Sequence, residues 1–183
     1  MTPVEIRPDT SLRGAVIFDR DGVLNEDVAY AHRPDQIRWV EGAMAAVKAV
    51  NAAGLFAFVA TNQSGIARGL YSEADVVALH DWMNAELGRV GARIDAFVYC
   101  PYHPDGVVEA YRRTSSCRKP QPGMLLDLLA RFPVDPTSTL MIGDQATDIA
   151  AAKAAKVEGL LFSGGSVLAA ITPWLARHGR STP

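Results

Sequence analysis

Asp19 and Asp21 stand two residues apart, directly after the apolar run Ala15-Val-Ile-Phe18. Two carboxylates leaving a buried strand are costly to keep ionised without a partner, and hard oxygen ligands of this kind suit Mg²⁺. The bland alternative is a surface turn, because Asp21-Gly22 is a common turn pair. A second apolar run, Leu55 to Ala60, ends in Thr61-Asn62-Gln63-Ser64-Gly65. A hydroxyl, amides and backbone N–H groups there can bind a phosphate without adding charge, or make an ordinary polar loop. Arg118-Lys119-Pro120 closes a long irregular stretch. A lysine before a helix start can pair with phosphate as a compact charge; in isolation it reads as a solvated surface residue. A further run, Leu140 to Ile142, ends in Gly143-Asp144-Gln145-Ala-Thr-Asp148. Asp144 is a candidate metal ligand or a helix N-cap, and Asp148 can hold Lys119 or support the metal from behind.

The elements that must position these groups alternate along the chain. Short apolar runs near 15–18, 55–60, 94–99, 140–142 and 159–162 read as buried strands. Helical patterns fill 43–53, 73–90, 123–131, 148–156 and 166–176. Ser72 is the candidate N-cap of the second, with Asp75 completing a capping box. This order predicts an α/β fold: a Rossmann-like parallel sheet of about five strands, with helices on both faces and right-handed crossovers. In such sheets ligands gather beyond the carboxyl ends of the strands, at a topological switch point. Three of the four motifs leave a strand directly.

Composition bounds the rest. The chain has 183 residues, which predicts a single domain over 1–183. The segments 20–42 and 100–122 are each too short to fold around a core of their own. The site should therefore carry no cap domain, only loops, and take a small polar ligand. Twenty acidic side chains against 18 basic ones give a net charge of −2, unlike a duplex nucleic-acid binder. No apolar run approaches the roughly 20 residues of a membrane span, and residues 1–10 lack the apolar region of a signal peptide. Two cysteines, Cys100 and Cys117, are too few for a secreted scaffold. The expectation is a soluble, cytoplasmic monomer without nucleic-acid or membrane partners.

The order Asp-x-Asp, Thr-Asn, Lys, Gly-Asp-x-x-x-Asp resembles the haloacid dehalogenase superfamily of phosphotransferases over residues 15–150. Asp19-Arg-Asp-Gly-Val-Leu-Asn25, Thr61-Asn-Gln-Ser-Gly-Ile-Ala-Arg-Gly69, Cys100-Pro-Tyr-His-Pro104 and Cys117-Arg-Lys-Pro-Gln-Pro-Gly-Met124 narrow it to the heptose-bisphosphate and histidinol-phosphate phosphatase branch. The resemblance implies a small phosphorylated sugar as substrate, Asp19 as nucleophile and Asp21 as general acid and base. Burial beside a second carboxylate would push the Asp21 pKa upward, the direction an acid needs. It also implies Mg²⁺ on Asp19, the Asp21 carbonyl and Asp144, with Thr61, Asn62 and Lys119 on the phosphoryl oxygens. Arg20, Asp27, Tyr30, Gln63, Ser64, Arg118 and Gln145 would touch phosphate or substrate. The branch binds structural zinc with a Cys-x-His…Cys-x-Cys set. Here Tyr102 stands at the histidine position and Ser115 at a cysteine position. Cys100, Cys117 and the displaced His103 leave the four-ligand zinc set incomplete. A Cys100–Cys117 disulfide is disfavoured in a reducing compartment. Two other classes compete. A receiver domain would share the phospho-accepting aspartate but needs no acid at Asp21, and a catalytically dead binding module would not need the reactive residues.

Overall fold

The computed structural model describes residues 12–179; the polar stretch 1–11 and residues 180–183 lie outside them. Five parallel strands form the sheet in the order β3-β2-β1-β4-β5. They are β1 (Arg13–Phe18), β2 (Phe56–Asn62), β3 (Ala96–Cys100), β4 (Val134–Gly143) and β5 (Glu158–Leu161). Five helices connect and flank them: α1 (Ala43–Ala52), α2 (Glu73–Arg89), α3 (Gly123–Arg131), α4 (Ala146–Ala155) and α5 (Val167–His178).

The strands alternate their buried side chains between two cores, as period-2 geometry requires. Val16, Phe18, Ala57, Val59, Leu140 and Ile142 face α1, α2 and α5. Ala15, Ile17, Phe56, Phe58, Ala60 and Met141 face α3 and α4. With both faces covered, the inner strands can be apolar throughout, which is why they read as unbroken runs. The Ala-rich stretch of α4 lets it lie close to the sheet, with Ala151, Ala152 and Ala155 buried.

The elements match the sequence reading to within about two residues at their ends, save the start of β4. β4 begins at Val134, well before the apolar run, because Arg13 pairs with Val134 ahead of a register shift. The polar residues 135–138 there gave no apolar signal. The last helix runs to His178 although Pro173 lies inside it. Val167, Ile171 and Trp174 pack into the core and keep the helix going past the proline.

The chain leaves β1 towards β2 on one side and later adds β4 on the other. The switch point is therefore between β1 and β4, and Asp19 and Asp144 follow those two strands. The connections 19–42 and 101–122 contain 3-10 turns, at Pro34–Gln36 and Glu109–Tyr111, and in the first the isolated bridges of Asn25 to Asp21 and to Trp39. Among the described residues no further layer stands over the strand ends.

α2 starts on a full capping box: Ser72 Oγ accepts from the Asp75 N–H, and Asp75 Oδ2 accepts from the Ser72 N–H at 2.8 Å. Ser72→Ala should cost about 1 kcal/mol in urea unfolding. An unchanged midpoint would show that the packing of α2 alone sets its start.

Candidate active site

Asp19 follows β1 and is 8% exposed. Its Oδ1 lies 2.9 Å from Lys119 Nζ, and Asp148 Oδ1 lies 2.7 Å from the same ammonium. Burial pushes the Asp19 carboxyl up to about 6, with Lys119 pulling it back only in part. Burial works to lower the Lys119 ammonium, but Asp19 and Asp148 outweigh it and hold its pKa above the ordinary value. Lys119 is locked further: its Nζ donates to the Ala60 carbonyl at 2.8 Å. Asn62 grips its backbone from both sides, donating to the Lys119 carbonyl and accepting from the Lys119 N–H, each at 3.1 Å. Asn62, expected on the phosphoryl group, thus also fixes the lysine.

Carboxylate oxygens of Asp19, Asp144 and Asp148 lie within 4.8 Å of one another. Asp144 Oδ2 accepts from Gln145 Nε2 at 2.9 Å, while its Oδ1 is buried without a hydrogen-bond partner. A buried carboxylate oxygen with no donor is costly unless a cation faces it. Three carboxylates against one ammonium leave two negative charges, which a divalent cation would neutralise. The oxygen-only donor set fits Mg²⁺. Two glycines make room for this cluster. Gly22 has φ +85°, and a Cβ there would collide with the Asp144 carboxylate. A Cβ on Gly143 would collide with Asp148.

Asp21 is held from three directions. Arg20 reaches it with Nη2 at 2.9 Å and with Nε at 3.2 Å from Oδ2. Asn25 Nδ2 donates to Oδ1 at 2.9 Å, and Gln63 Nε2 donates to Oδ2 at 3.1 Å. The group that faces Asp21 is the Arg20 guanidinium and not the second carboxylate expected there. Gln63 also donates to Thr61 Oγ1 at 2.8 Å and accepts from the Tyr71 hydroxyl at 2.7 Å. Burial pushes the Tyr71 phenol up to about 12, so it stays a donor.

Two open cavities meet at this point. One, of about 160 Å³, is lined by Asp19, Asp21, Asp27, Thr61, Asn62, Lys119, Asp144, Gln145, Thr147 and Asp148. The other, of about 300 Å³, shares Asp21, Asp27 and Asn62 and adds Ala29, Tyr30, Gln63, Ser64 and Tyr71. Ala29 and Tyr30 take φ of 55° and 61°, a backbone that costs non-glycine residues energy and leaves Tyr30 41% exposed at the rim.

Two of the expected contact residues are turned inward. Arg20 is fully buried; its guanidinium serves Asp21, the Ala31 carbonyl and Gln63, so it supports the site instead of touching substrate. Gln63 is 1% exposed and bonds Asp21, Thr61 and Arg20, yet it also lines the second cavity. Arg118 is not among the residues lining either cavity. Burial and the nearby Arg68 lower its guanidinium pKa, and Arg118 Nη1 and Arg68 Nε are both buried without a hydrogen-bond partner.

Cys100 and Cys117 are joined by a disulfide, a bond that the expectation of a reducing compartment disfavoured. The end of β3 and the turn before Arg118 converge with Cα atoms 5.6 Å apart, within disulfide reach. His103 instead accepts from the Asp105 N–H at 3.1 Å. Among the described residues, Cys100, His103 and Cys117 are not gathered as metal ligands.

Asn25, Arg68, Tyr71, His80 and Thr147 belong to this neighbourhood and were missed as site residues. Asn25 and Arg68 sit inside quoted motifs, so the motif itself was the available signal. Tyr71 and His80 come from α2 and its approach, where side chains read as ordinary core.

The chain is similar to proteins of known name and structure. A family model described as HAD-hydrolase-like matches residues 116–173. The chain is 49% identical over 155 residues to D-glycero-beta-D-manno-heptose-1,7-bisphosphate 7-phosphatase of Rhodopseudomonas palustris, covering 85% of this chain and 86% of that protein. To the Escherichia coli K12 protein of the same name it is 41% identical over 143 residues, 78% and 75% of the two chains. Among solved structures, D,D-heptose 1,7-bisphosphate phosphatase of B. bronchiseptica, complexed with magnesium and phosphate, superposes with TM-score 0.74 at 35% identity, covering 91% and 88%. A HAD-like phosphatase of Mesorhizobium loti superposes with TM-score 0.86 at 29% identity, over 100% and 94%.

The raised Asp19 carboxyl has a measurable consequence. In the metal-free protein its folded-state pKa of about 6 lies above the ordinary value of 3.8, so its favourable contribution is present at low pH and is lost as pH rises through about 6. A proton and a cation compete for the same oxygens. Mg²⁺ affinity by calorimetry should therefore fall about tenfold between pH 7 and pH 5. A pH-independent affinity would place the cation away from Asp19. Gly22→Ala should weaken Mg²⁺ binding by displacing Asp144, with little change in secondary structure by circular dichroism.

Proposed function

The chain belongs to the heptose-1,7-bisphosphate 7-phosphatase family of haloacid dehalogenase-like hydrolases, and from that membership we propose that it removes the 7-phosphate of D-glycero-D-manno-heptose 1,7-bisphosphate through an aspartyl phosphate. The observation that carries the reading is Asp19, buried on the floor of a cavity, against an ammonium on one side and an unpartnered Asp144 oxygen on the other.

The Asp19 carboxylate attacks phosphorus and the bond to the sugar oxygen breaks. Asp21 gives its proton to that leaving oxygen and then takes one from the water that hydrolyses the aspartyl phosphate, so the proton is returned within one turnover. Thr61, Asn62 and Lys119 hold the phosphoryl oxygens, and the fixed ammonium stabilises their charge without reorganising. Asp19, Asp144 and the Asp21 carbonyl would hold Mg²⁺, which when bound offsets the repulsion between carboxylate and phosphate. Asp148 keeps Lys119 aimed at Asp19.

The second cavity takes the sugar, with Asp27, Tyr30 and Ser64 on its wall. Arg118 lies beside Arg68 and near Tyr30 on that wall, and the positive charge of the pair favours a substrate with a second anionic group. The competing substrate, histidinol phosphate, carries an amine that gains nothing from two guanidiniums. Of the other two classes, a phospho-accepting receiver needs no proton donor beside the nucleophile, and Asp21 stands there with three residues holding it.

Asp21→Asn should lower phosphate release from the bisphosphate by about 10²–10⁴-fold; undiminished turnover would favour the receiver reading. Arg118→Met should raise KM for the bisphosphate about tenfold and leave a monophosphate little changed. Higher kcat/KM on histidinol phosphate than on heptose bisphosphate would reverse the substrate assignment.

A further inference from the structure

Arg20 is the largest fully buried side chain among the described residues, and its hydrogen-bond partners divide into two groups. Nε and Nη2 face the site, bonding Asp21, Gln63 Oε1 at 3.2 Å and the Ala31 carbonyl at 2.7 Å. Nη1 points the other way, to His80 Nε2 at 3.4 Å, its acceptor among the described residues. His80 comes from the buried face of α2 and is 4% exposed. Its ring stacks on Phe97 with centroids 4.5 Å apart and meets Tyr99 edge-on at 6.1 Å. Burial, with the Arg20 charge adding to it, pushes the imidazole down to about 3, so the ring is neutral and presents a lone pair to the guanidinium. That contact sets the tautomer with the proton on Nδ1.

We propose that His80 is a positioning residue for Asp21, holding the far end of the Arg20 guanidinium and so fixing where the near end grips the carboxylate. The proposal rests on the phosphatase reading and deepens it. A buried guanidinium needs acceptors for its N–H groups, and a flat, forked cation anchored at one end alone can pivot. Anchored at both ends, between α2 and the turn after β1, it transmits the rigidity of the helix to a carboxylate standing in a loop. Misplacing a reacting group by about 1 Å can cost up to 10²-fold, so such an anchor belongs to the chemistry even though it touches no substrate.

A filler role and a positioning role separate by leaving group. Release of an alkoxide from a sugar phosphate needs the Asp21 proton. Release of p-nitrophenolate does not, and kcat/KM ends at the first irreversible step, transfer to Asp19. In His80→Phe, which keeps the aromatic stack and removes the acceptor, kcat/KM should fall about tenfold on heptose bisphosphate and stay within about twofold on p-nitrophenyl phosphate. His80→Gln, which restores an acceptor, should recover most of the loss. Equal effects on both substrates, or none on either, would overturn the proposal. If His80→Phe does not fold, the same comparison on His80→Leu decides it by the same criterion. Should the wild-type protein ignore heptose bisphosphate yet hydrolyse other sugar phosphates, the substrate assignment fails and the comparison on those sugars still tests His80. A wild-type protein inactive on every phosphate ester overturns both.

Discussion

Everything at the mouth of this sheet depends on one buried ammonium set between two carboxylates. Lys119 Nζ is almost wholly out of water and contacts both Asp19 and Asp148. Removing three charges from solvent is expensive, and attraction repays it only when geometry is tight and the remaining valences are satisfied. The chain meets that demand with three separate elements. β1 delivers Asp19, the start of α4 delivers Asp148, and β2 delivers Asn62 and the Ala60 carbonyl that fix the lysine. A shift in any strand would leave an uncompensated charge. The register of the sheet and the chemistry of the cluster therefore constrain each other.

A second charged pair, Arg20 with Asp21, lies beside the first and is built differently. Lys119 works as a point charge and needs only nearby oxygens. Arg20 works as a planar fork and needs partners at defined angles. The first arrangement suits the nucleophile role proposed for Asp19. The second suits the proton carrier proposed at Asp21, whose orientation decides where the proton goes. Two aspartates two residues apart thus acquire separate surroundings from the cations that face them.

The strands, the crossovers and the placing of aspartates at the strand ends were legible in the sequence because burial writes itself as apolar runs, and because acids at the ends of such runs are conspicuous. Asp19, Asp144 and Lys119 fall where strand order alone would look for them. Arg20 turns inward for a reason its sequence could not show: a polar residue inside a reactive motif looks like a contact residue, and nothing in its type says which way the side chain turns. His80 was invisible for the opposite reason. It lies at helical spacing on an apolar face, where a histidine reads as packing. Its partner is 60 positions away, and only the folded chain brings the two together. The Cys100–Cys117 pairing was set aside on composition, which speaks to the compartment a chain inhabits and not to which loop ends meet.

The way Lys119 is fastened has a bearing on how such a protein can change over evolutionary time. The residues after Cys100 wander through a long excursion before returning, yet the neck of that excursion is closed by the cysteine pair and then by the two-sided grip of Asn62 on the lysine backbone. The ammonium is placed by its anchors at the neck and is indifferent to the path taken in between. Length and sequence in that stretch are free to drift, or to be recruited towards new sugars, while the phosphoryl-transfer machinery stays fixed. A clasp of this kind makes a lineage inventive at the rim and conservative at the floor.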